Sequence, residues 1–273
     1  MLKTFLSKLR SNYIPGSLSI DGCQIKNLQI IKRNYKPGMS KAGAVSLSGN
    51  LKGQKVKIYS TRSLAQTNLI TALEYRLRKS EVKFPTIIAK DQNYIAEKWI
   101  SGINCTKVNS NKIVDPISAM LYKFQNEYND IVMSETYKGA FDYLGDYLIG
   151  RIEPWIGLYD LDDIQKDWQY EFEISKNTIE PKLSHPDLSP NNLIMSNNGN
   201  IYVIDNELVG IGNGWILDIY NSNLNIKLNQ QMTPFEVSFR DRCILLRRIG
   251  SALDSGSFNN VRRINDEYKK RFI

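Results

Sequence analysis

The chain has one histidine and three cysteines in 273 residues. A single imidazole argues against a histidine-rich metal site, and a Ser-His-Asp hydrolase would have to use His185, whose neighbours suit another role. Cys23, Cys105 and Cys243 lie far apart and form no CxxC pair, so neither a disulfide framework nor a structural zinc site is expected and packing roles are. No apolar run approaches the roughly 20 residues of a membrane span. The opening MLKTFLSKLR lacks the uninterrupted apolar core of a signal peptide, so a cytoplasmic location is expected. Internal repeats, low-complexity tracts and long linkers are lacking. No aromatic RNA-binding signature accompanies the basic residues, so no nucleic-acid partner is expected.

What is present is ordinary globular composition, 42% hydrophobic, long enough for two lobes with their own cores. The formal net charge is +8. Much of the excess falls late, in Arg240, Arg242, Arg247, Arg248, Arg262, Arg263, Lys269, Lys270 and Arg271, and reads as a solvated helical face.

The densest chemistry lies between Leu183 and Asp218, in LSHPDLSPNNLIMSNNGNIYVIDNELVGIGNGWILD. Asp187 and Asn192 share a tight loop. Leu193–Met195 and Ile201–Ile204 read as two strands around a type I′ turn at Asn198-Gly199, which returns Asp205 beside Asn192. A carboxylate to take an acceptor proton and two oxygen ligands for a hard cation are what phosphoryl transfer to a hydroxyl requires.

HxDxxxxN followed by IDxE resembles the aminoglycoside phosphotransferase and choline kinase superfamily, the small-molecule branch of the protein-kinase-like fold. The resemblance implies an α+β, bilobal chain: an N-terminal antiparallel sheet lobe with one main helix (residues 1–97), a hinge (98–103) and a mainly helical catalytic and acceptor-binding lobe (104–273). It implies ATP and Mg²⁺ as cofactors, Asp187 as the catalytic carboxylate, Asn192 and Asp205 as metal ligands, and His185 as a brace for the loop. Asp218 falls where the superfamily has a buried aspartate that supports the catalytic loop. Glu207 has two readings, a contact to a second metal or a cap for the following loop. Pro186 stands where glycine is usual, and restricts the backbone beside Asp187. Protein kinases carry Asp-Phe-Gly and a long segment ending in Ala-Pro-Glu, whereas here Asp205-Asn206-Glu207 runs directly to Asp218, which argues against a protein substrate.

The preceding residues supply further parts. Ala44–Ser48 and Lys55–Tyr59 alternate around a Gly49–Gly53 turn and predict a hairpin with Lys57 opposite Val56 and Ile58. The resemblance makes Lys57 the phosphate-binding strand lysine and Glu74 its helix partner, on a helix from Ser63 to Lys79 capped by Ser63. It implies phosphate contacts from Ser40 and neighbouring amides in the small-residue loop Gly38–Ala44, which is not a Walker loop. Tyr94–Gly102 reads as an edge strand entering the hinge, with the backbone from Glu97 to Trp99 pairing with the adenine edge. Asp115-Pro116 reads as a cap followed by proline at the first helical position.

The region from Tyr137 to Tyr170 is rich in aromatic residues, Tyr147, Trp155 and Trp168 among them, and is where acceptor choice is expected. The acceptor is expected to be a small molecule with a hydroxyl. The basic balance fits a neutral or anionic sugar or glycan slightly better than choline, ethanolamine or an aminoglycoside. A catalytically silent nucleotide-binding module is the alternative from another class. Leu2, Phe5, Leu6 and Leu9 predict a short basic amphipathic helix, docked on the first lobe or in weak contact with an anionic membrane. The sequence does not choose between ATP and GTP or set an oligomeric state.

Overall fold

A computed structural model describes residues 16–31, 46–108, 111–221, 224, 226–228 and 231–273. The Gly38–Ala44 loop with Ser40, and the N-terminal stretch containing Leu2 to Leu9, lie outside the described residues.

The fold is α+β and bilobal. Its first part is an antiparallel sheet of strands β1 (Ser17–Ile20), β2 (Cys23–Ile30), β3 (Leu47–Leu51), β4 (Gln54–Ser60), β6 (Ile87–Asp91) and β7 (Tyr94–Lys98), in the order β1-β2-β3-β4-β7-β6. Two hairpins close on left-handed residue pairs, Asp21-Gly22 (φ 48° and 71°) and Lys52-Gly53 (φ 49° and 83°), whose twist matches that of the strands they join. The second turn is therefore two residues, shorter than Gly49–Gly53. Strand β7 is not an edge. It pairs with β4 on one side and β6 on the other, as the burial of Tyr94 through Glu97 requires.

Helix α1 (Leu64–Leu77) packs across the sheet, with Ser63 accepting the Gln66 amide at its start. Helix α2 (Asn111–Asn126) begins at Asn111, well before the expected start at Pro116. Ile113 already belongs to the apolar stripe continued by Ile117, Met120, Leu121 and Phe124, so Pro116 sits inside the helix rather than at its first position. The second part adds α3 (Leu144–Ile152), α4 (Asp162–Thr178), the short α5 (Trp215–Ile219), α6 (Pro234–Asp254) and α7 (Phe258–Phe272).

Several of the late basic residues do not form a free solvated face. Arg242 is buried and reaches Asp167 at 2.8 Å and Glu171 at 3.4 Å, Lys269 reaches Asp160 at 2.7 Å, and Arg248 reaches Glu267 at 3.2 Å. The acids of α4 and its preceding turn lie against α6 and α7, and close packing converts these charges into interhelical clamps. Cys105 and Cys243 are buried packing residues, and none of the three cysteines is in a disulfide.

Candidate active site

Two β-ladders aim the motif residues. Strand β9 (Lys182–Ser184) delivers the chain to His185 and pairs antiparallel with β12 (Gly210–Gly212), which follows the Asp205 loop. Strands β10 (Leu193–Met195) and β11 (Ile201–Val203) form the expected hairpin, with β5 (Val82–Lys83) beside β11 and β8 (Ile103–Asn104) beside β10, and the Ile204 amide donates to the Asn192 carbonyl at 2.8 Å. The loop bearing Asp187 and the loop bearing Asp205 are thus stitched together at both ends. The hairpin turn differs from the expected type I′. Ser196 and Asn200 pair across it, Gly199 donates to the Ser196 carbonyl, and among its residues only Gly199 (φ 81°) is left-handed, the longer loop that residues 196–200 demand.

Pro186 suits its position. The Leu188 amide donates to the His185 carbonyl at 2.9 Å, a turn with Pro186 second and Asp187 third, and proline's fixed φ favours that second place. Asp187 Oδ1 accepts from the Tyr147 hydroxyl at 2.8 Å, and the Asn192 amide nitrogen donates to the Asp187 carbonyl at 2.8 Å and to Oδ2 at 3.2 Å. Commitment of that nitrogen leaves the Asn192 oxygen as the acceptor end of its amide. Asp205 is left-handed (φ 67°, ψ 45°), a conformation asparagine and aspartate tolerate best among residues with a Cβ, and its carboxylate meets Lys57 Nζ at 2.9 Å.

His185 is fully buried, and burial lowers its pKa and keeps it neutral. It is held through the backbone: its amide donates to Asp218 Oδ2 at 2.9 Å. Asp218 itself is buried in α5, and burial pushes its carboxyl up to about 7 against the pull of that amide. Beneath it, buried Asp142 accepts from Ser184 Oγ at 3.1 Å, from the Leu144 amide at 3.1 Å and from the Gly214 amide. A Cβ at Gly214 would lie 2.7 Å from both Asp142 Oδ2 and the Pro186 ring, so the packing admits only glycine there.

One expected pairing is not formed. Glu74 is buried on α1, but its carboxylate is taken by Arg78 one turn later, at 3.0 and 2.9 Å. Lys57 instead lies between Asp205 and Glu97, the latter at 3.9 Å and directly across the β4–β7 ladder. Burial opposes the Lys57 ammonium, but the carboxylates of Asp205, Glu97 and Glu207 outweigh it and hold its pKa above the usual lysine value. Burial raises Glu97 to about 7 although Lys57 pulls the other way. Glu207 is buried, and its backbone carbonyl, like that of Val209, accepts from Gln66 Nε2 at the start of α1.

The adenine-edge expectation also changes. The Lys98 amide donates to Thr86 at 2.8 Å and the Trp99 amide to Lys55 at 3.1 Å, so these donors are spent inside the sheet. The Glu97 side chain points to Lys57. Trp99 is covered by the Lys55 ammonium, 3.7 Å from the ring centroid.

Asp187 also lines a cavity of about 830 Å³ between α3 and α4, whose walls include Tyr147, Arg151, Phe172, Glu173 and Lys176. Tyr147 was expected only as one aromatic among many. Its bond to Asp187, the Arg151 Nη1 contact to its hydroxyl at 3.2 Å, and the hubs Asp142 and Gln66 were not foreseen. For Gln66 a signal existed: Ser63-x-x-Gln66 is a capping-box spacing. Among the described residues no group of three or more His, Cys, Asp and Glu side chains forms a metal cage. The donor set is one carboxylate and one amide oxygen, which fits Mg²⁺ completed by phosphates and water.

No family model and no curated protein matches the chain. Solved structures that resemble it include the AMP-bound spectinomycin phosphotransferase APH(9)-Ia, 11% identical, TM-score 0.48, covering 86% of this chain and 93% of that one. An aminoglycoside-3'-phosphotransferase of type VIII is 12% identical, TM-score 0.46, covering 89% and 97%. ADP-bound aminoglycoside phosphotransferase APH(2'')-Ib is 15% identical, TM-score 0.43, covering 97% of each chain. The α+β fold is read from this chain's own strand order and paired loops, and its resemblance to the superfamily from the motif between His185 and Glu207.

Proposed function

We propose that the chain is an ATP- and Mg²⁺-dependent phosphotransferase that moves the γ-phosphoryl group to a hydroxyl of a small molecule. The observation that carries this reading is that Asp187, which lines an 830 Å³ cavity, is bonded to Asn192 at one end of the β10–β11 hairpin, while Asp205 at the other end is bonded to Lys57. Asp187 orients the acceptor hydroxyl and takes its proton, while Tyr147 fixes which carboxylate oxygen faces the cavity. Asn192 and Asp205 would hold Mg²⁺, which would supply charge neutralisation on the phosphates, and Lys57 would bind the phosphates from the sheet side. His185, Asp218 and Asp142 keep the loop in place. The cavity holds three cations, Arg62, Arg151 and Lys176, each with a carboxylate partner, beside an aromatic wall. That mixture suits a hydroxyl-rich sugar or glycan-type acceptor, with choline, ethanolamine and aminoglycosides as the competing classes.

The test is ADP release with ATP and Mg²⁺ across sugars, amino alcohols and aminoglycosides, with Asp187→Asn as control. Stimulation by one acceptor class that Asp187→Asn abolishes, with nucleotide binding retained, is the expected result. Equal turnover by the variant would remove Asp187 from its role, and ATP binding without turnover on any acceptor would favour a silent nucleotide-binding module.

A further inference from the structure

We infer that Glu97, on strand β7, is the positioning residue that holds Lys57 for the phosphates, in place of a glutamate on helix α1. The inference rests on the proposed nucleotide-binding role of Lys57. Three observations carry it. Lys57 and Glu97 are direct cross-strand partners in the β4–β7 ladder, and both are buried. The helix glutamate that would compete, Glu74, is committed to Arg78 through two hydrogen bonds. The closer partner of Lys57, Asp205 at 2.9 Å, is the residue assigned to the cation. Once Asp205 is given to a cation, Glu97 is the carboxylate in the facing strand, 3.9 Å from the ammonium, that keeps it in the sheet plane. Gln66 explains what the start of α1 does instead: its amide nitrogen ties the helix to the carbonyls of Glu207 and Val209, an uncharged link to the metal loop.

The arrangement differs physically from a strand-to-helix pair. A helix can pivot against a sheet, but β7 is fixed by ladders on both sides. The lysine is therefore set by the sheet itself, with no helix movement needed to complete it.

The experiment measures dissociation constants for Mg-ATP and for adenosine on the full chain, comparing wild type with Lys57→Met, Glu97→Gln, Glu97→Asp, Glu74→Gln and the Lys57→Met/Glu97→Gln double variant. Adenosine lacks the phosphates, so its affinity reports an intact fold, and the ratio of Mg-ATP affinity to adenosine affinity reports Lys57. Lys57→Met and Glu97→Gln should each lower the ratio about tenfold or more, the scale of breaking a buried charge pair. The double variant should be no worse than Lys57→Met, because the two act as one unit. Glu97→Asp, which keeps the charge, should recover part of the loss, and Glu74→Gln should stay within about twofold of wild type. If Glu97→Gln no longer binds adenosine, Glu97→Asp and Glu74→Gln decide: a ratio that falls in Glu74→Gln but not in Glu97→Asp overturns the inference. Losses that multiply in the double variant also overturn it. An unchanged ratio in Lys57→Met would instead remove the nucleotide role of Lys57, a distinct failure of the underlying reading.

Discussion

On the side of Asp187 assigned to the nucleotide, the chemical groups hang from strands: Lys57 on β4, Glu97 on β7, and Asn192 and Asp205 at the ends of the β10–β11 hairpin. On the side assigned to the acceptor they hang from α3 and α4 and face a cavity whose cations are each matched by an acid. Ladder hydrogen bonds fix strand positions whatever the side chains are, so the first side needs few residues and they occupy set places. Helix faces are placed by packing alone, and their pocket-facing residues can vary without disturbing the backbone. The contrast teaches that strand-borne groups keep their geometry through the ladder while the helix-borne pocket beside them can change its lining without moving the backbone.

Substitutions at four residues test that contrast, in falling order of effect. Asp205→Asn removes the charge that pairs with Lys57 and is assigned to the cation, and should weaken Mg-ATP binding about a hundredfold or more, measured by calorimetry, with acceptor affinity little changed. Tyr147→Phe removes one donor to a charged acceptor, worth about 1.5–3 kcal/mol. It should lower kcat about tenfold or more and leave the KM for ATP unchanged; a change confined to the ATP KM would place Tyr147 on the wrong side of the comparison. Phe172→Ala opens the α4 wall beside Trp168 and Gly145 and should raise acceptor KM by about tenfold at constant ATP KM, the scale of a few apolar groups in a pocket.

The smallest effect is one of pH. Burial raises the Asp218 carboxyl to about 7 from an ordinary value of 3.8. The folded state holds this proton more tightly than the unfolded chain, so the stability it contributes is full below about pH 4 and is lost as pH rises through 7. Asp218→Asn keeps an oxygen for the His185 amide but has no such loss. Its melting temperature relative to wild type should therefore improve by a few degrees between pH 5 and pH 8. A constant difference would mean that Asp218 is ionised throughout that range.

The sequence made the strand-borne side legible because its signals are local. His185, Asp187, Asn192 and Asp205 lie within one stretch whose hairpin can be read by alternation, and Lys57 stands in an alternating strand. The Glu74 pairing failed for the same reason that it was attractive: spacing along the chain says that a helix follows the strand, but not which way the helix is rotated. The rotation is settled by Leu69, Ile70 and Leu73 in the core and by Arg78 one turn beyond Glu74. Alternation places Glu97 in a strand but cannot show which strand lies opposite it; pairing of β7 with β4 sets its side chain beside Lys57. Asp142 and Tyr147 carry no local signature. Their importance arises only when α3 packs beneath the loop, through contacts spanning dozens of residues of chain.

Helix α1 bears on how the molecule comes apart. Leu69, Ile70, Leu73 and Leu77 belong to the same buried cluster as Ile117, Leu121 and Phe124 of α2 and Leu193 and Val203 of the hairpin, while Val82 and Lys83 pair in parallel with Ile201 and Tyr202. The chain passes from sheet to helices near residues 98–103, but the oil beneath it does not stop there. A fragment ending at that crossing would carry an uncovered apolar helix face and an unpaired strand, the surface of an aggregating intermediate rather than of a folded module. The main helix is roofed on one side by Tyr59 and Ile95 of the sheet and on the other by residues of the second part, so the two parts should melt as one unit rather than in two steps.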